Sequence, residues 1–358
     1  MTETFGILII GCYLRSKFKY TMSLNNEVDY SIIICTYNPD QVVFQRCLNA
    51  VKALDLDDFR TEVILVDNNS KTRISESGYI QSFIENVSNS KIITVTKQGL
   101  NHARMAGILE SKGKEIIFFD DDNEPEADYL RALNFLHISY PHVGAWGPGN
   151  IDIDFLSAVE PHLLNESKQA FQDRHESNIT YSNQRSWQSC YPFGTGLSIR
   201  KDYCLEYIEG VKAGIFTLSD RKGNELSSGG DTQMVFFLIS KGASAGVAPS
   251  LSITHIVPAK RTKFEYLKRL TYGTSVCYST CLSEVFPEEL ERIESHLVRP
   301  EKFNVKILKK MFLLLFNGKV EKTLAVVSYI GAVNGDYLAL KRPVPSLASW
   351  ALKKLKAK

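Results

Sequence analysis

"IIFFDDDNEP", residues 116–125, runs four apolar residues directly into three consecutive aspartates. The apolar run reads as a strand buried on both faces, the kind found in parallel sheets. Three adjacent carboxylates repel and raise each other's pKa unless something neutralises them. A hard divalent cation does so, because Mn2+ and Mg2+ take oxygen ligands, and Mg2+ commonly uses one or two carboxylates plus substrate phosphates. On an extended chain Asp120 and Asp122 face one side and Asp121 the other. The structural alternative is a solvated acidic turn, with Asp122 or Asn123 capping a following helix.

Working outward, the same pattern recurs upstream. YSIIICTY (30–37), TEVILVDNNS (61–70) and KIITVTK (91–97) read as further strands. QVVFQRCLNAVKAL (41–54) and LNHARMAGILESK (100–112) read as helices, and ESGYIQSFIENV (76–87) as a weaker one. Such alternation predicts an α/β fold with right-handed crossovers and a mostly parallel sheet. In such sheets ligands bind outside the carboxyl ends of the strands. Three of those ends are polar here: Thr36-Tyr37-Asn38, Asp67-Asn68-Asn69-Ser70 and Asp120-Asp121-Asp122.

The bulk properties agree with a globular protein. The 358 residues are 44% hydrophobic and 23% charged. No apolar run approaches the roughly 18–20 residues of a membrane-spanning helix. FGILIIGCYL (5–14) lacks a basic leader and a clear cleavage site, so a secretory signal is not expected. Met22 is an alternative start. Seven cysteines, an odd number without a CxxC pair, argue against a disulfide framework and a zinc ribbon, and for a reducing cytoplasm. Of the net charge of +2, residues 301–358 carry +9, leaving −7 on the rest. Basicity confined to the tail argues against a nucleic-acid reader, whose basic patch belongs on the folded module.

IIICTYN (32–38), ILVDNNS (64–70), Gly99…Arg104…Gly107 and IIFFDDD (116–122) together resemble the family 2 glycosyltransferases of GT-A fold, over roughly residues 30–275. The resemblance implies metal-dependent, inverting transfer of a sugar from a nucleotide-sugar donor, UDP-linked, to a hydroxyl of a saccharide or lipid-linked saccharide. Its setting would be bacterial-type surface polysaccharide or glycan synthesis. It implies that Thr36, Tyr37 and Asn38 meet the nucleoside, with Tyr37 stacking on the base. Asp67 would accept a hydrogen bond from uracil, and Arg104 would approach the nucleotide. Asp120 and Asp121 would line the ribose and sugar, and Asp122 would touch Mn2+ or Mg2+.

The second half supplies the rest of the implied site. Gly194-Thr195-Gly196 matches the Gly-rich acceptor-side segment and belongs beside the donor sugar, where glycines allow close backbone approach. Asp231 in LSSGGDTQ (226–233) matches the general base, although the residue before it is Gly230 where the family usually has Glu. An N-cap is its structural alternative. His255 would reach the metal or the diphosphate, and Arg261 would pair with phosphate oxygens. The expected division is an N-terminal extension (1–28) outside the fold, a GT-A domain (29–275, split at 125/126) and a helical extension (276–358). SWALKKLKAK (349–358), and less so KILKKMFLLLF (306–316), fits a peripheral contact with the inner face of a membrane. Two alternatives stand beside the enzyme. A nucleotidyltransferase should carry a Gly-rich loop after the first strand, and TYNPDQ has none. A non-catalytic sugar-binding protein should have lost some of the acids, and all are present.

Overall fold

The computed structural model describes residues 28–217, 226, 229–316 and 318–358. Of the expected N-terminal extension (1–28), residues 1–27, with Met22, lie outside them, and Val28 instead begins the first strand. The first half follows the apolar runs. In order it contains β1 (Val28–Thr36), α1 (Gln41–Lys52), β2 (Thr61–Asp67), α2 (Gly78–Asn86), β3 (Ser90–Thr94), α3 (Leu100–Glu110) and β4 (Gly113–Asp120). α1 starts where the Asp40 carboxylate accepts the amides of Val42 and Val43, at 3.0 and 3.3 Å. Its buried Val43, Phe44, Cys47, Leu48 and Val51 form one helical face.

The second half comprises β5 (Asn123–Pro125), α4 (Tyr129–Ser139), β6 (Val143–Phe155), α5 (Leu164–Ala170), β7 (Arg174–His175), β8 (Thr180–Ser182), β9 (Leu197–Arg200), α6 (Lys201–Lys212), α7 (Gly230–Ser240) and β10 (Ser244–Val257). The sheet order is β3-β2-β1-β4-β9-β6-β10-β5, with β7 beside β6 and β8 beside β10. β3, β2, β1 and β4 run parallel. β9 then enters antiparallel between β4 and β6, and β6 and β10 are parallel again. Alternate residues of each central strand feed opposite layers. Ile33, Ile64 and Phe118 pack with α3, α6 and α7. Ile32, Ile34, Leu65 and Phe119 pack with α1, α2 and α4.

Two expectations about the aspartates change. β4 ends at Asp120, so Asp121 and Asp122 lie in a turn and the strict two-residue alternation does not extend to them. Nor does a helix follow. Asn123 closes the turn, its Oδ1 accepting the Asp120 amide at 3.0 Å and its Nδ2 donating to Asp122 Oδ1 at 3.1 Å. β5 then pairs antiparallel with β10, setting Asn123 opposite His255. Arg46 of α1 ties β5 down, with both guanidinium edge nitrogens on Glu124 (2.8 and 2.6 Å) and Nη1 on Asp154 (2.7 Å).

Helices complete the chain: α8 (Phe264–Val285), α9 (Glu289–Ser295), α10 (Pro300–Phe316), α11 (Val320–Ala339) and α12 (Ser346–Leu355). α8 runs straight through the expected 275/276 boundary. α11 lies close along it, because Gly331 and Gly335 carry no Cβ; one at Gly335 would meet the Val276 carbonyl at 2.7 Å. The apolar side of α12 is buried: Ala348, Ala351 and Leu352 join Phe303, Val327 and Ile330 in a core. That removes most of the apolar surface expected of a membrane-lying tail. α10 does the opposite, exposing Val305, Leu308, Phe312, Leu313, Leu315 and Phe316. Among the described residues, no helix is long and apolar enough to cross a membrane.

Candidate functional site

A cavity of about 340 Å³ opens at the carboxyl ends of β1, β2 and β4. Among the expected residues, Thr36, Tyr37, Asp120, Asp121, Asp122, Thr195, His255 and Arg261 line it. They come from β1, β4, the loop before β9, the end of β10 and the turn after it, so only the folded sheet assembles them. Thr36 donates its hydroxyl to Asp121. Tyr37, 43% exposed, stands at the mouth.

Asp122 divides three neighbours between its two oxygens. Oδ1 lies 3.6 Å from His255 Nε2 and takes the Asn123 amide, while Oδ2 accepts from Arg261 Nη1. Burial works against its charge, but Arg261 and His255 outweigh it and hold the carboxyl well below its ordinary value. Burial and the neighbouring Asp122 charge push Asp121 up to about 7, with Thr36 pulling the other way. His255 is buried, which lowers its pKa, yet Asp122 wins and raises it. His255 Nδ1 sits 3.0 Å from the Phe171 carbonyl. A carbonyl only accepts, so Nδ1 carries a proton and Nε2 is the nitrogen directed at Asp122, the arrangement of a metal-ligating histidine.

Asp122 and His255 could offer a divalent cation one oxygen and one nitrogen. Among the described residues no group of three or more His, Cys, Asp or Glu is arranged to hold a metal. The remaining ligands would have to come from a bound diphosphate, which Mg2+-type sites commonly use.

The other expected residues stand beside the cavity and not on its wall. Arg104 is buried in α3, its Nη2 3.8 Å from Asp120 Oδ1 and its guanidinium 5.5 Å from the Phe118 ring centre. Gly194 touches it: a Cβ there would fall 2.7 Å from Arg104 Nη2 and 2.6 Å from Asp231 Oδ2. Gly196 has φ +67° and packs under Tyr129, whose hydroxyl donates to its carbonyl at 2.6 Å. These two glycines make room for protein side chains, and Thr195 between them reaches the cavity. Asp231 lies in the first turn of α7 and makes no cap bond there; its Oδ1 accepts the adjacent Thr232 amide at 2.9 Å.

Asp67 is buried and turned toward its own loop, accepting the amides of Ser70 (2.9 Å) and Ile74 (3.1 Å). Asn38, at φ +48°, braces the same loop by accepting the Lys71 amide at 2.8 Å. Sequence reasoning placed Asn68 at a polar strand end without giving it a role, and missed Gln98, Phe171, Gln172, Lys260 and Tyr266 on the cavity wall. Asn68 accepts the Gly99 amide at 2.7 Å and donates to the Lys97 carbonyl at 3.0 Å, which joins β2 to the start of α3. Gln172 carries a buried Oε1 without a hydrogen-bond partner among the described residues. The helical spacing of Leu163, Leu164, Ala170 and Phe171 was the available signal for that segment.

Comparison with known proteins adds the following. Residues 31–203 match the model of Glycosyl transferase family 2. A 101-residue stretch is 35% identical to "Glycosyltransferase AglE" of Haloferax volcanii; it covers 28% of this chain and 32% of that protein, so the match spans about a third of the relative's length. Solved structures that the chain matches include the mannosyltransferase PcManGT from Pyrobaculum calidifontis in complex with GDP-Man and Mn2+ (TM-score 0.48, 15% identity, 86% and 87% of the two chains). Another is S. aureus TarS 1–349 (TM-score 0.43, 13% identity, 87% and 90%).

Proposed function

We propose, from the match of residues 31–203 to the model of Glycosyl transferase family 2, inverting transfer of a sugar from a nucleoside diphosphate sugar to an acceptor hydroxyl. The observation that carries this reading is the meeting of Asp120, Asp121 and Asp122 with His255 and Arg261 on one cavity. The exposed Tyr37 ring offers a face to a base, with Thr36 behind it. Arg261 offers a planar pair of donors to phosphate oxygens. Mn2+ or Mg2+ held by Asp122 and His255 would neutralise charge developing on the departing diphosphate. Asp231 accepts the proton of the acceptor hydroxyl as its oxygen bonds to the anomeric carbon. The bond to the diphosphate breaks on the opposite face and its electron pair leaves with the nucleotide, so the centre inverts.

Asp67 acts through the loop it holds, and UDP is the first donor to test on the strength of the family resemblance alone. The acceptor is a saccharide or lipid-linked saccharide. The catalytic unit spans 29–275, with α8 continuing beyond it. A peripheral membrane contact is assigned to α10, whose exposed apolar residues stand among Lys302, Lys306, Lys309 and Lys310.

Calorimetric titration of UDP and GDP, with and without Mn2+, tests the site. Asp122→Ala should lose the Mn2+-dependent gain in affinity. Asp231→Asn should keep donor affinity while turnover of a donor sugar falls by about 10²-fold or more. Full metal enhancement in Asp122→Ala, or wild-type turnover in Asp231→Asn, would overturn the assignment.

A further inference from the structure

A second cavity, of about 680 Å³, lies beside the first along α8. Its lining includes Arg269 and Tyr272 from α8, Lys353 from α12, and Lys356 and Lys358 from the turn that follows. Glu265 is the one acidic side chain among its described lining residues, so the lining side chains carry a formal +3. None of the four cations forms an ion pair with a described residue. Arg269 instead stands 5.9 Å from the Tyr266 ring centre and Lys358 5.8 Å from that of Tyr272.

The convergence is built by tertiary structure. α12 ends on Lys356 at φ +52°, and the Ala357 amide donates back to the Leu352 carbonyl at 2.9 Å. Ala357 is buried, which folds the last lysines back toward α8. Lysines at a helix C-terminus are favoured by the helix dipole. That accounts for Lys353 but not for Arg269, which arrives from α8 and faces the same space. Four like charges gathered on a concave surface repel until an anion enters.

The two cavities share Leu226 in their walls, and Tyr266, on which Arg269 stacks, lines the first. Leu270 borders the donor cavity, whereas Arg269, Gly273 and Val276 border the second, so neighbouring residues of one helix serve both. Val276, Leu338 and the Tyr272 ring supply apolar wall beside the cations.

We propose that this second cavity holds the phosphate or diphosphate ester of the acceptor, next to the donor site. The proposal rests on the glycosyltransferase reading for the word acceptor, though not for the anion. Charge-assisted bonds from Arg269 and the lysines bind the phosphate oxygens, and the apolar wall takes the rest of the ligand. The tail lysines thus serve a ligand-binding cavity and not a bilayer.

Titrate the full chain with glucose 1-phosphate and with farnesyl phosphate, at low and high NaCl. Repeat with Arg269→Gln/Lys356→Gln, and titrate UDP with Mn2+ against both proteins. The expected result is phosphate-ester binding that weakens with salt and falls about tenfold or more in the double variant, while UDP affinity stays unchanged. Binding of farnesyl phosphate alone assigns a lipid-linked source, and equal binding of glucose 1-phosphate a soluble phosphosugar. If neither ester binds the wild type, or the double variant binds both as well as the wild type, the proposal is overturned. If the esters bind as described but UDP fails to bind the wild type, the anion site stands and the glycosyltransferase reading falls.

Discussion

Gly194 shows how a residue without a side chain shapes chemistry. Its missing Cβ leaves room for the Asp231 carboxylate and the Arg104 guanidinium, each within 3 Å of where that atom would lie. Both are the far ends of side chains and not backbone, so they can shift to admit it. Gly194→Ala should therefore lower stability by only about 1 kcal/mol. Yet if Asp231 is the proposed base, the variant should displace it from the acceptor, and a shift of about 1 Å at such a group can cost about 10²-fold. Donor turnover in Gly194→Ala should fall in kcat with donor KM nearly unchanged. An unaltered kcat would remove Gly194 from the positioning of Asp231. The sequence marked Gly194-Thr195-Gly196 as a close approach, and that is legible in three small residues before a strand. Which partner approaches was not, since Asp231 lies 37 residues further along the chain.

At the scale of elements, β5 decides the site and α10 the surface. Three residues long, β5 has little pairing of its own. It is fixed by β10 on one side and by Arg46 on the other. This is what brings Asp122 to His255, and no periodicity in NEP announces it. α10 exposes Leu315 (79%) and Phe316 (75%) at its end, with Phe312 and Leu313 one turn earlier. Such a patch beside four lysines suits an anionic bilayer. Vesicles of phosphatidylcholine and phosphatidylglycerol should bind the chain at low salt and release it at high salt. Phe312→Ser/Phe316→Ser should weaken that binding about tenfold, the loss expected from about 1.4 kcal/mol of apolar contact. Equal co-sedimentation of the double variant would exclude α10 as the contact.

Across the whole molecule, Glu115 links stability to pH. It lies on β4 near the N-terminal end, away from the cavity. Burial pushes its carboxyl from 4.5 up to about 8, with Arg200 pulling the other way and Asp202 adding to the rise. The neighbouring His137 is driven down to about 4 by burial and then by Arg200. Glu115 Oε2 and His137 Nε2 stand 3.8 Å apart, and both are neutral at pH 6, so no ion pair forms. Between pH 4.5 and about 8 the folded chain keeps a proton that the unfolded chain releases. Glu115 by itself therefore lowers stability as pH rises through that window, while His137, neutral in the fold and protonated in the unfolded chain below 6.5, opposes it in the lower part. Glu115→Gln stays neutral, so its melting temperature should gain on the wild type steadily from pH 5 to 8. A gap between the two that does not change with pH would show that Glu115 ionises normally in the fold.

The local pattern of the chain determined the first half of the fold and the character of its strand ends. Ile32–Ile34, Val63–Val66 and Ile116–Phe119 are buried on both faces, and such runs need little context to be read as central parallel strands. The three aspartates announced a charged site for the same reason: adjacent like charges are costly wherever the chain goes. Tertiary structure alone decided what neutralises them. Arg261 reaches Asp122 across 139 residues, and His255 meets it because β10 returns beside β5. It also turned Asp67 away to its own loop, buried the apolar side of α12, and set the tail lysines opposite Arg269. Strand and helix identity follow from periodicity between near neighbours, which sequence displays. The partner of a buried charge depends on which distant elements share a wall, and only packing settles that.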